Sequence, residues 1–389
     1  MPGHRLGRTI LLVCSLLALV GIFQGMMYIY KSNKANRALR EVARKPWLNT
    51  KQTMGGEKKP LLRAAMVALV RNSELDDIRS TIRQVDDRFN REFGYPYILL
   101  NDEDFTEEFK VGVQAMTKTK ILFGKLPESH WGLSPYVTEE KVQEKLAYNK
   151  DRYLYGGSYS YRLMCRYQSG FIYKHPLLAD LDYYWRIEPG VDYYCSMPYD
   201  PFRYMRDNKL IYGYTIGLKE NRKTVETLWN TTRTWMLENP HHLPEKSIIY
   251  WPINEKSEYT LCHFWSNFEI VDLSFYRSEA YESYFQHLDR AGGFFYERWG
   301  DAPVHTLAAA ILLRKEQIHW FEDVGYRHPG NAHCPNKPEM TRNCVCDKGM
   351  NIMYTNLCGR RYTEVNDISK ERALVLAALP DQKPEESGH

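Results

Sequence analysis

Alternating strand and helix patterns in the first part of the chain constrain the fold more than any other feature. Residues 64–70 (AAMVALV) form an apolar run typical of a buried strand, and a one-sided apolar pattern over residues 75–89 predicts a helix. Residues 96–100 (PYILL) and 120–124 (KILFG) repeat the strand pattern, with a further helix between them. This order predicts an α/β fold with a mixed, mostly parallel sheet, whose ligands bind beyond the carboxyl ends of the strands.

Strand patterns recur in the second half of the chain, at residues 183–187 (YYWRI), 210–216 (LIYGYTI) and 267–275 (NFEIVDLSF). Helices are predicted at residues 279–288 and 303–314. The chain has neither a glycine-rich phosphate loop of the usual kinds nor a G-x-S-x-G elbow. It is therefore not predicted to be a P-loop nucleotidase or an α/β-hydrolase.

A second constraint is an uncharged apolar run near the N-terminus. Residues 10–30 contain no charge, and as a helix these 21 residues would span roughly 31 Å, enough to cross a bilayer. A cleaved signal peptide is the alternative, but no small-x-small site precedes the basic segment that follows. We predict a single-pass protein with five parts: a cytosolic tail (1–9), a transmembrane signal anchor (10–30), a basic stem (31–63), a globular domain (64–379) and a polar tail (380–389).

Charge is distributed unevenly along the chain. The net charge is +4, but residues 1–30 carry +2 and residues 31–63 carry +8, so that residues 64–389 carry −6. An acidic globular body lacks the basic footprint that nucleic-acid binding needs. We therefore expect a membrane-anchored protein with no nucleic-acid partner.

The orientation in the membrane rests on conflicting signals. The basic residues after the anchor outnumber those before it, which taken literally would place the body in the cytosol. However, Asn230 begins a glycosylation sequon (NTT), and seven of the eight cysteines follow the anchor. A zinc site with His333 is the alternative for the clustered cysteines, but their spacing lacks paired C-x2-C knuckles. We therefore predict a luminal body with disulfides and one unpaired cysteine.

Acidic residues near one predicted strand are candidate metal ligands. Glu188 lies where the strand at residues 183–187 stops against Pro189 and Gly190, a position that presents a carboxylate to a crevice. Asp180 and Asp182, just upstream, match the short D-x-D pattern of nucleotide-sugar enzymes, although such a pattern is common by chance. The residues alone leave both interpretations open, together with a purely solvated role for Glu188.

Three further side chains are functional candidates with plausible structural roles. Glu269 stands in an apolar and aromatic stretch, where a carboxylate is either functional or held by a structural partner. Asp301 precedes a helix and is a candidate N-cap. His328 follows a strand-like segment, and a lone histidine is more often structural than a ligand.

Several long segments resemble fungal α-1,2-mannosyltransferases of glycosyltransferase family 15, the KRE/KTR type. The resemblance extends from about residue 64 to residue 358. The matching segments are LVRNSEL (69–75), NDEDFTEEFK (101–110), YRLMCRYQSGFIYKHPLL (161–178), YYWRIEPGV (183–191), CHFWSNFEI (262–270), LDRAGGFFYERWGDAPVH (288–305) and HWFEDVGYRH (319–328). The resemblance implies a Golgi type II membrane protein with a luminal catalytic domain of the GT-A kind.

The resemblance also implies roles for individual residues. Glu188, in the Glu-Pro motif, and His328 would bind Mn²⁺, which leaves Asp180 and Asp182 as scaffold. Glu269 is implied as the nucleophile. The remaining implied site residues are Tyr161 and Asp301 near donor and acceptor, and Arg71 as a nucleotide contact.

The implied reaction is transfer of mannose from GDP-mannose to the 2-hydroxyl of a mannose on a mannosylated glycoprotein. Retention of the anomeric configuration needs either double displacement through Glu269 or front-face attack with Glu269 stabilising an oxocarbenium ion. The alternatives are a catalytically silent scaffolding member of a Golgi complex and a mannosylphosphate transferase. The segment at residues 329–332 departs from the family pattern, which leaves the choice of acceptor open.

Overall fold

The computed structural model of the protein describes residues 60–367. Its centre is a seven-stranded sheet in the order β10-β6-β9-β4-β1-β2-β3. Two smaller sheets, β12-β11-β5 and β7-β8, lie outside it. The strands are β1 (Ala64–Leu69), β2 (Tyr97–Asn101), β3 (Ile121–Lys125), β4 (Tyr183–Arg186), β5 (Asp192–Tyr193), β6 (Tyr212–Tyr214), β7 (Gly217–Lys219), β8 (Cys262–Phe264), β9 (Glu269–Asp272), β10 (Ile318–Trp320), β11 (Tyr326–His328) and β12 (Asn331–His333).

The strand directions confirm the predicted mixed, mostly parallel sheet. β1 pairs in parallel with β2 and β4, β2 with β3, and β6 with β10. β9 alone runs antiparallel to both of its neighbours in this sheet, β4 and β6. Because β9 is reversed, its first residue, Glu269, lies at the same edge of the sheet as the last residue of β4, Arg186, with which it is paired in register.

Helices cover both faces of the central sheet. Several helices lie on the path from β1 to β4. After β7, the helix Asp301–Leu312 packs beside β8 and the helix Leu273–Tyr276 packs beside β9. The helices are α1 (Leu75–Val85), α2 (Arg91–Phe93), α3 (Glu107–Gln114), α4 (Glu139–Asn149), α5 (Tyr159–Gly170), α6 (Pro201–Asp207), α7 (Leu228–Glu238), α8 (Leu273–Tyr276), α9 (Glu279–Ala291), α10 (Gly293–Tyr296), α11 (Asp301–Leu312), α12 (Pro338–Thr341), α13 (Ile352–Thr355) and α14 (Leu357–Asp367).

Two hydrophobic cores form because successive side chains of a strand point to opposite faces. In β1, Ala65 and Val67 belong to one core, and Met66 and Ala68 belong to the other. All four side chains are almost completely buried. This explains why residues 64–70 read as a continuous apolar run rather than an alternating one.

Two disulfides join the C-terminal part of the described domain to segments at β5 and β8, and another lies within that part. They join Cys195 to Cys344, Cys262 to Cys358 and Cys334 to Cys346, and Cys165 is free and buried. The prediction of disulfides with one unpaired cysteine is confirmed for the described residues. His333 instead contacts the carbonyl oxygen of Glu322 (Nε2, 2.8 Å) and Oδ1 of Asn351 (Nδ1, 3.2 Å), so the zinc alternative is excluded there.

Some predicted boundaries require correction. The strand pattern at residues 267–275 forms only β9, since Asp272 accepts a hydrogen bond from the Ser274 amide (2.9 Å) and thereby begins α8. The predicted anchor (10–30) and polar tail (380–389) lie outside the described residues. Within residues 60–367, no helix is long and apolar enough to cross a membrane.

Candidate active site

A cavity of about 780 Å³ opens at the carboxyl edge of the central sheet. Arg71 follows β1, Asn101 ends β2 and Glu188 follows β4, and all three line the cavity. These strands are neighbours in the sheet, so their ends converge on one place. The structure thus brings these three strand-end side chains together, as expected for an open sheet of mostly parallel strands.

The turn after β4 sets the position of Glu188. Gly190 adopts φ +70°, the left-handed conformation that glycine accepts without steric cost and that a type II turn requires after proline. The carbonyl oxygen of Glu188 accepts a hydrogen bond from Thr81 Oγ1 at 2.9 Å. The backbone is therefore fixed on both sides of Glu188, which directs its carboxylate into the cavity.

Arg186 is a buried cation between two carboxylates of the cavity wall. Its Nε lies 2.6 Å from Glu188 Oε1, and its Nη1 lies 2.5 Å from Asp301 Oδ2. Burial disfavours the charge, but the carboxylates of Glu188, Asp301 and Glu269 hold the pKa of Arg186 above its ordinary value. The inner wall therefore carries more negative than positive charge.

Asp301 begins α11 and faces the cavity. Ser266 donates a hydrogen bond to Asp301 Oδ2 at 2.6 Å. Burial alone would raise the pKa of Asp301, but Arg186 outweighs burial and lowers it to about 2. The N-cap position of α11 is occupied by Gly300 and no side chain caps the helix, so the prediction that Asp301 is the N-cap is wrong. Asp301 is instead a fixed, ionised carboxylate of the cavity wall.

His328 ends β11 and contributes an imidazole to the same wall. Its ring packs edge-on against Trp265, with centroids 4.8 Å apart. Burial lowers the pKa of His328, which favours the neutral ring. Its Nδ1 is buried and has no hydrogen-bond partner in the described part of the chain, so a lone pair is available to a ligand.

Four of the sixteen buried, unpartnered side-chain atoms found within residues 60–367 line this cavity. Such atoms are rare in folded proteins because burial without a partner is unfavourable, and a group of them indicates a missing polar ligand. Within residues 60–367, those lining the cavity are Asn101 Nδ2, Gln168 Oε1, Asn267 Oδ1 and His328 Nδ1.

The sequence did not single out Arg186, Gln168 or Asn267. Arg186 carried a detectable signal, a cation inside an apolar strand and two residues before Glu188. Gln168 and Asn267 carried none, since their importance comes from what surrounds them in space.

The wall is suited to a divalent cation. Glu188 offers a carboxylate oxygen and His328 an unpartnered imidazole nitrogen, which are donor types that Mn²⁺ accepts. The excess negative charge around Arg186 favours the same ion. No group of three or more histidine, cysteine, aspartate or glutamate side chains that could hold a metal occurs within residues 60–367.

Tyr161 lies in the first turn of α5 and also lines the cavity. Its amide donates to the N-cap side chain of Ser158 (3.2 Å), and the guanidinium of Arg298 lies 5.1 Å from its ring centroid. Burial raises the pKa of Tyr161 well above its usual value, so its hydroxyl stays protonated.

Glu269 occupies a different environment from the other predicted site residues. It is fully buried, and it lies behind the cavity rather than in its wall. Tyr184 donates to one carboxylate oxygen; the other accepts from Tyr212 (2.7 Å) and contacts His305 Nδ1 (3.0 Å). Burial would raise the pKa of Glu269, but the attraction of His305 lowers it. The structure thus does not bring Glu269 to the cavity, and its nucleophilic role stays a prediction against which this burial argues.

The D-x-D pair lies at the other end of β4. Asp182 precedes the first residue of the strand and forms an ion pair with Arg63 at the protein surface. A side chain at the amino end of β4 is separated from the cavity by the length of the strand. Asp182 thus lies away from the cavity, and the scaffold role that the resemblance implies for Asp180 and Asp182 stays a prediction.

Comparison with known proteins shows similarity to fungal mannosyltransferases. The chain is 46% identical over 316 residues to glycolipid 2-alpha-mannosyltransferase 2 of Candida albicans, covering 80% of this chain and 68% of the relative. It is 43% identical to glycolipid 2-alpha-mannosyltransferase of Saccharomyces cerevisiae, covering 88% and 79%.

Solved structures agree with the sequence relatives. Core-mannan synthase A of Aspergillus fumigatus, in a Mn/GDP form, superposes with a TM-score of 0.72 at 41% identity, covering 79% of this chain and 84% of that chain. The mannosyltransferase Ktr4p of S. cerevisiae, in complex with GDP, gives 0.75 at 38% identity, with coverages of 80% and 84%.

Fold and site together define an α/β glycosyltransferase, with its cavity at the carboxyl edge of a mixed sheet. Residues 26–367 match the glycolipid 2-alpha-mannosyltransferase family. The chain belongs to this family, which confirms the resemblance inferred from the sequence segments.

Proposed function

We propose that this protein is a retaining α-1,2-mannosyltransferase with a GT-A-like domain, which transfers mannose from GDP-mannose to the 2-hydroxyl of a mannose on a glycoprotein glycan. One observation carries the proposal: Glu188 and the unpartnered Nδ1 of His328 line a polar cavity at the strand ends of a chain from this family. The identity of its relatives supplies the sugar and the linkage.

The nucleotide would bind at the ends of β1 and β2. Arg71 supplies a positive charge there for the diphosphate, and Asn101 has a buried, unpartnered amide nitrogen that can donate to a ribose or base oxygen. Arg71 is held by its own backbone amide, which donates to Glu74 Oε2 at 2.8 Å. The GDP of the two related structures supports a guanine nucleotide.

Glu188 and His328 would hold Mn²⁺. When bound, the ion acts as a Lewis acid that stabilises the negative charge developing on the GDP leaving group. Arg186 keeps Glu188 oriented through the 2.6 Å contact at Nε, and the neutral His328 ring keeps its lone pair for the metal.

The burial of Glu269 favours front-face attack over double displacement. A covalent intermediate would need a carboxylate oxygen within bonding distance of the anomeric carbon, whereas the oxygens of Glu269 are occupied by Tyr184, Tyr212 and His305. We propose instead that Glu269 acts through Arg186, as a positioning residue. Asp301 and Tyr161 then remain as wall residues that contact the sugars.

The compartment is also part of the proposal. We place the body in the Golgi lumen, anchored as a single-pass type II protein. Asn230 is exposed on α7, which supports its use as a glycan acceptor. Protein made in a secretory host should shift in mobility after glycosidase treatment, and Asn230→Gln should abolish the shift. A body without glycan that protease digests outside intact microsomes would contradict the luminal orientation.

The activity is tested with the full-length protein in detergent. We expect mannose transfer to methyl α-mannoside from GDP-mannose but not from UDP-sugars, with loss in EDTA and recovery with Mn²⁺. An α-1,2 linkage in the product, read by NMR, supports the assignment. Transfer of mannose phosphate, or failure of every donor, would contradict it.

A further inference from the structure

Tyr155 is an exposed aromatic residue at the rim of the active-site cavity. It lies between α4 and α5 and lines the cavity, yet 51% of its surface is exposed. Its neighbour Leu154 also lines the cavity and is 74% exposed. Together they form an exposed apolar surface at the edge of a polar cavity.

The backbone of Tyr155 is held in an unfavourable conformation. Its φ is +59°, in the left-handed region that bulky side chains avoid. The Tyr155 carbonyl accepts hydrogen bonds from the Ser158 amide (3.1 Å) and from Nη1 of the buried Arg162 (3.4 Å). Surrounding contacts therefore maintain a strained residue, as is common at binding sites.

The ring of Tyr155 is also fixed in orientation. It stacks on Tyr161, with centroids 4.5 Å apart and planes inclined by 13°. Arg298 lies 5.1 Å from the Tyr161 ring centroid and 3.5 Å from Glu220. One face of the Tyr155 ring is thus covered by Tyr161, while about half of the residue remains exposed.

A pyranose ring suits such a surface. The C–H groups on one face of the sugar pack against an aromatic ring, while its hydroxyls remain available to polar groups. The nucleotide and metal of the proposed reaction belong to Arg71, Asn101, Glu188 and His328. Contacts of Tyr155 run instead through Tyr161 and Arg298 to Glu220.

We propose that Tyr155, backed by Tyr161, is the platform on which the acceptor mannose rests. This inference rests on the proposed function and adds to it a residue that determines acceptor affinity. The exposure of Tyr155 and Leu154 allows the remainder of the glycan to leave the cavity toward solvent.

Three variants of the full-length protein test the platform. Tyr155→Asn removes the ring but tolerates the left-handed backbone, Tyr155→Phe keeps the ring, and Tyr148→Ala removes a comparably exposed tyrosine (59%) that does not line the cavity. We expect Tyr155→Asn to raise the acceptor KM about five- to tenfold. The GDP-mannose KM, the kcat at saturating acceptor and the Tm should stay near wild type. Tyr155→Phe should retain most of the acceptor affinity because it keeps the ring, and Tyr148→Ala should match wild type.

A merely structural role predicts a different pattern. A lower Tm or kcat for Tyr155→Asn with an unchanged acceptor KM would overturn the platform, as would an equal rise in the KM of the donor.

A measurement of acceptor binding in the absence of turnover tests the platform independently of the proposed function. Saturation-transfer NMR measures the Kd of methyl α-mannoside in the presence of GDP and Mn²⁺. Weaker binding by Tyr155→Asn supports the platform even if no donor yields transfer, in which case only the proposed function fails. Transfer by wild type with identical Kd in both proteins overturns the platform alone, and absence of mannoside binding to wild type also overturns it.

Discussion

The cavity wall and the layer behind it both contain buried polar side chains, but they differ in how many of the polar atoms have hydrogen-bond partners. The wall holds buried polar atoms without partners, including His328 Nδ1 and Gln168 Oε1. The layer behind, which we call the glutamate cluster, saturates its carboxylate with hydrogen bonds. The glutamate cluster consists of Tyr184, Tyr212, Glu269, Tyr276 and His305.

The difference separates ligand binding from support. A buried polar atom without a partner lowers the stability of the protein until a ligand forms a hydrogen bond with it. Such atoms are therefore retained where ligand binding offsets the lost stability. A satisfied buried carboxylate stabilises its surroundings and fixes their geometry. Arg186 connects the two regions, since it pairs directly with Glu188 and Asp301 and is attracted by Glu269.

The largest expected effect is that of Glu188→Gln in the wall. The change keeps the volume but removes a charged metal ligand, so we expect kcat to fall at least ~100-fold. The Mn²⁺ concentration for half-maximal activity should rise, and the Tm should fall because the buried Arg186 loses one of its two carboxylate partners, so kcat is determined under conditions where the variant is folded. Activity against Mn²⁺ concentration measures both quantities.

Asp182→Asn is the matched control for this change. It alters the D-x-D pair and removes a surface ion pair with Arg63, which contributes little to stability. Near-normal activity of Glu188→Gln, or loss of Mn²⁺ dependence only in Asp182→Asn, would move the metal site to the other end of β4.

The same substitution in the glutamate cluster should act mainly on stability. Glu269→Gln leaves Tyr184, Tyr212 and His305 facing an amide in place of a carboxylate, and we expect a loss of about 3 kcal/mol in the free energy of unfolding. Urea denaturation measures this loss, and kcat is determined in parallel under conditions where the variant is folded. A variant that unfolds like wild type and is inactive would instead show that Glu269 takes a direct part in the reaction.

The pH dependence of this contribution follows from the direction of the pKa shift. The pKa of Glu269 is lower in the folded protein than its ordinary value, mainly because the attraction of His305 outweighs burial. Its stabilising contribution is therefore complete above the unfolded pKa, about 4.3. It is lost as the pH falls through the lower folded pKa.

Local sequence patterns were enough to predict the central strands and their ends. The apolar runs gave β1, β2, β3 and β4, and the Pro-Gly pair after β4 placed Glu188 at a strand end. The sheet edge that carries the cavity followed from the strand–helix alternation alone.

Contacts between residues far apart in the sequence could not be predicted from these local patterns. Arg186 and Asp301 are 115 positions apart, and their contact depends on how α11 packs beside β8. The glutamate cluster draws Tyr184 from β4, Tyr212 from β6 and His305 from α11. Neither spacing nor family resemblance showed that Glu269 would be enclosed rather than exposed to substrate.

The smallest expected effect concerns Asp323. This buried carboxylate lacks the several hydrogen bonds and the attraction of a histidine that stabilise Glu269 in the glutamate cluster. Its hydrogen bond comes from the Tyr199 hydroxyl at 2.8 Å. Burial is the main cause that raises the pKa of Asp323 to about 6, and the like charge of Glu322 adds to it. A raised pKa means that the folded protein binds this proton more tightly than the unfolded chain does.

Stability should therefore fall as the pH rises from about 4, the ordinary aspartate value, to about 6. Asp323→Asn keeps an oxygen that accepts from Tyr199 but never ionises. We expect the variant to be about 2 kcal/mol more stable than wild type at pH 7.5, with a gain that shrinks toward pH 4. Urea denaturation at both pH values measures the difference.

Asp207→Asn is the control, because Asp207 lies on the surface beside Arg206. It should change the free energy of unfolding by less than about 0.5 kcal/mol at either pH. If Asp323→Asn is destabilising at both pH values, the hydrogen bond from Tyr199 alone is enough to stabilise the ionised carboxylate. The difference between Asp323 and the glutamate cluster would then not depend on cationic partners.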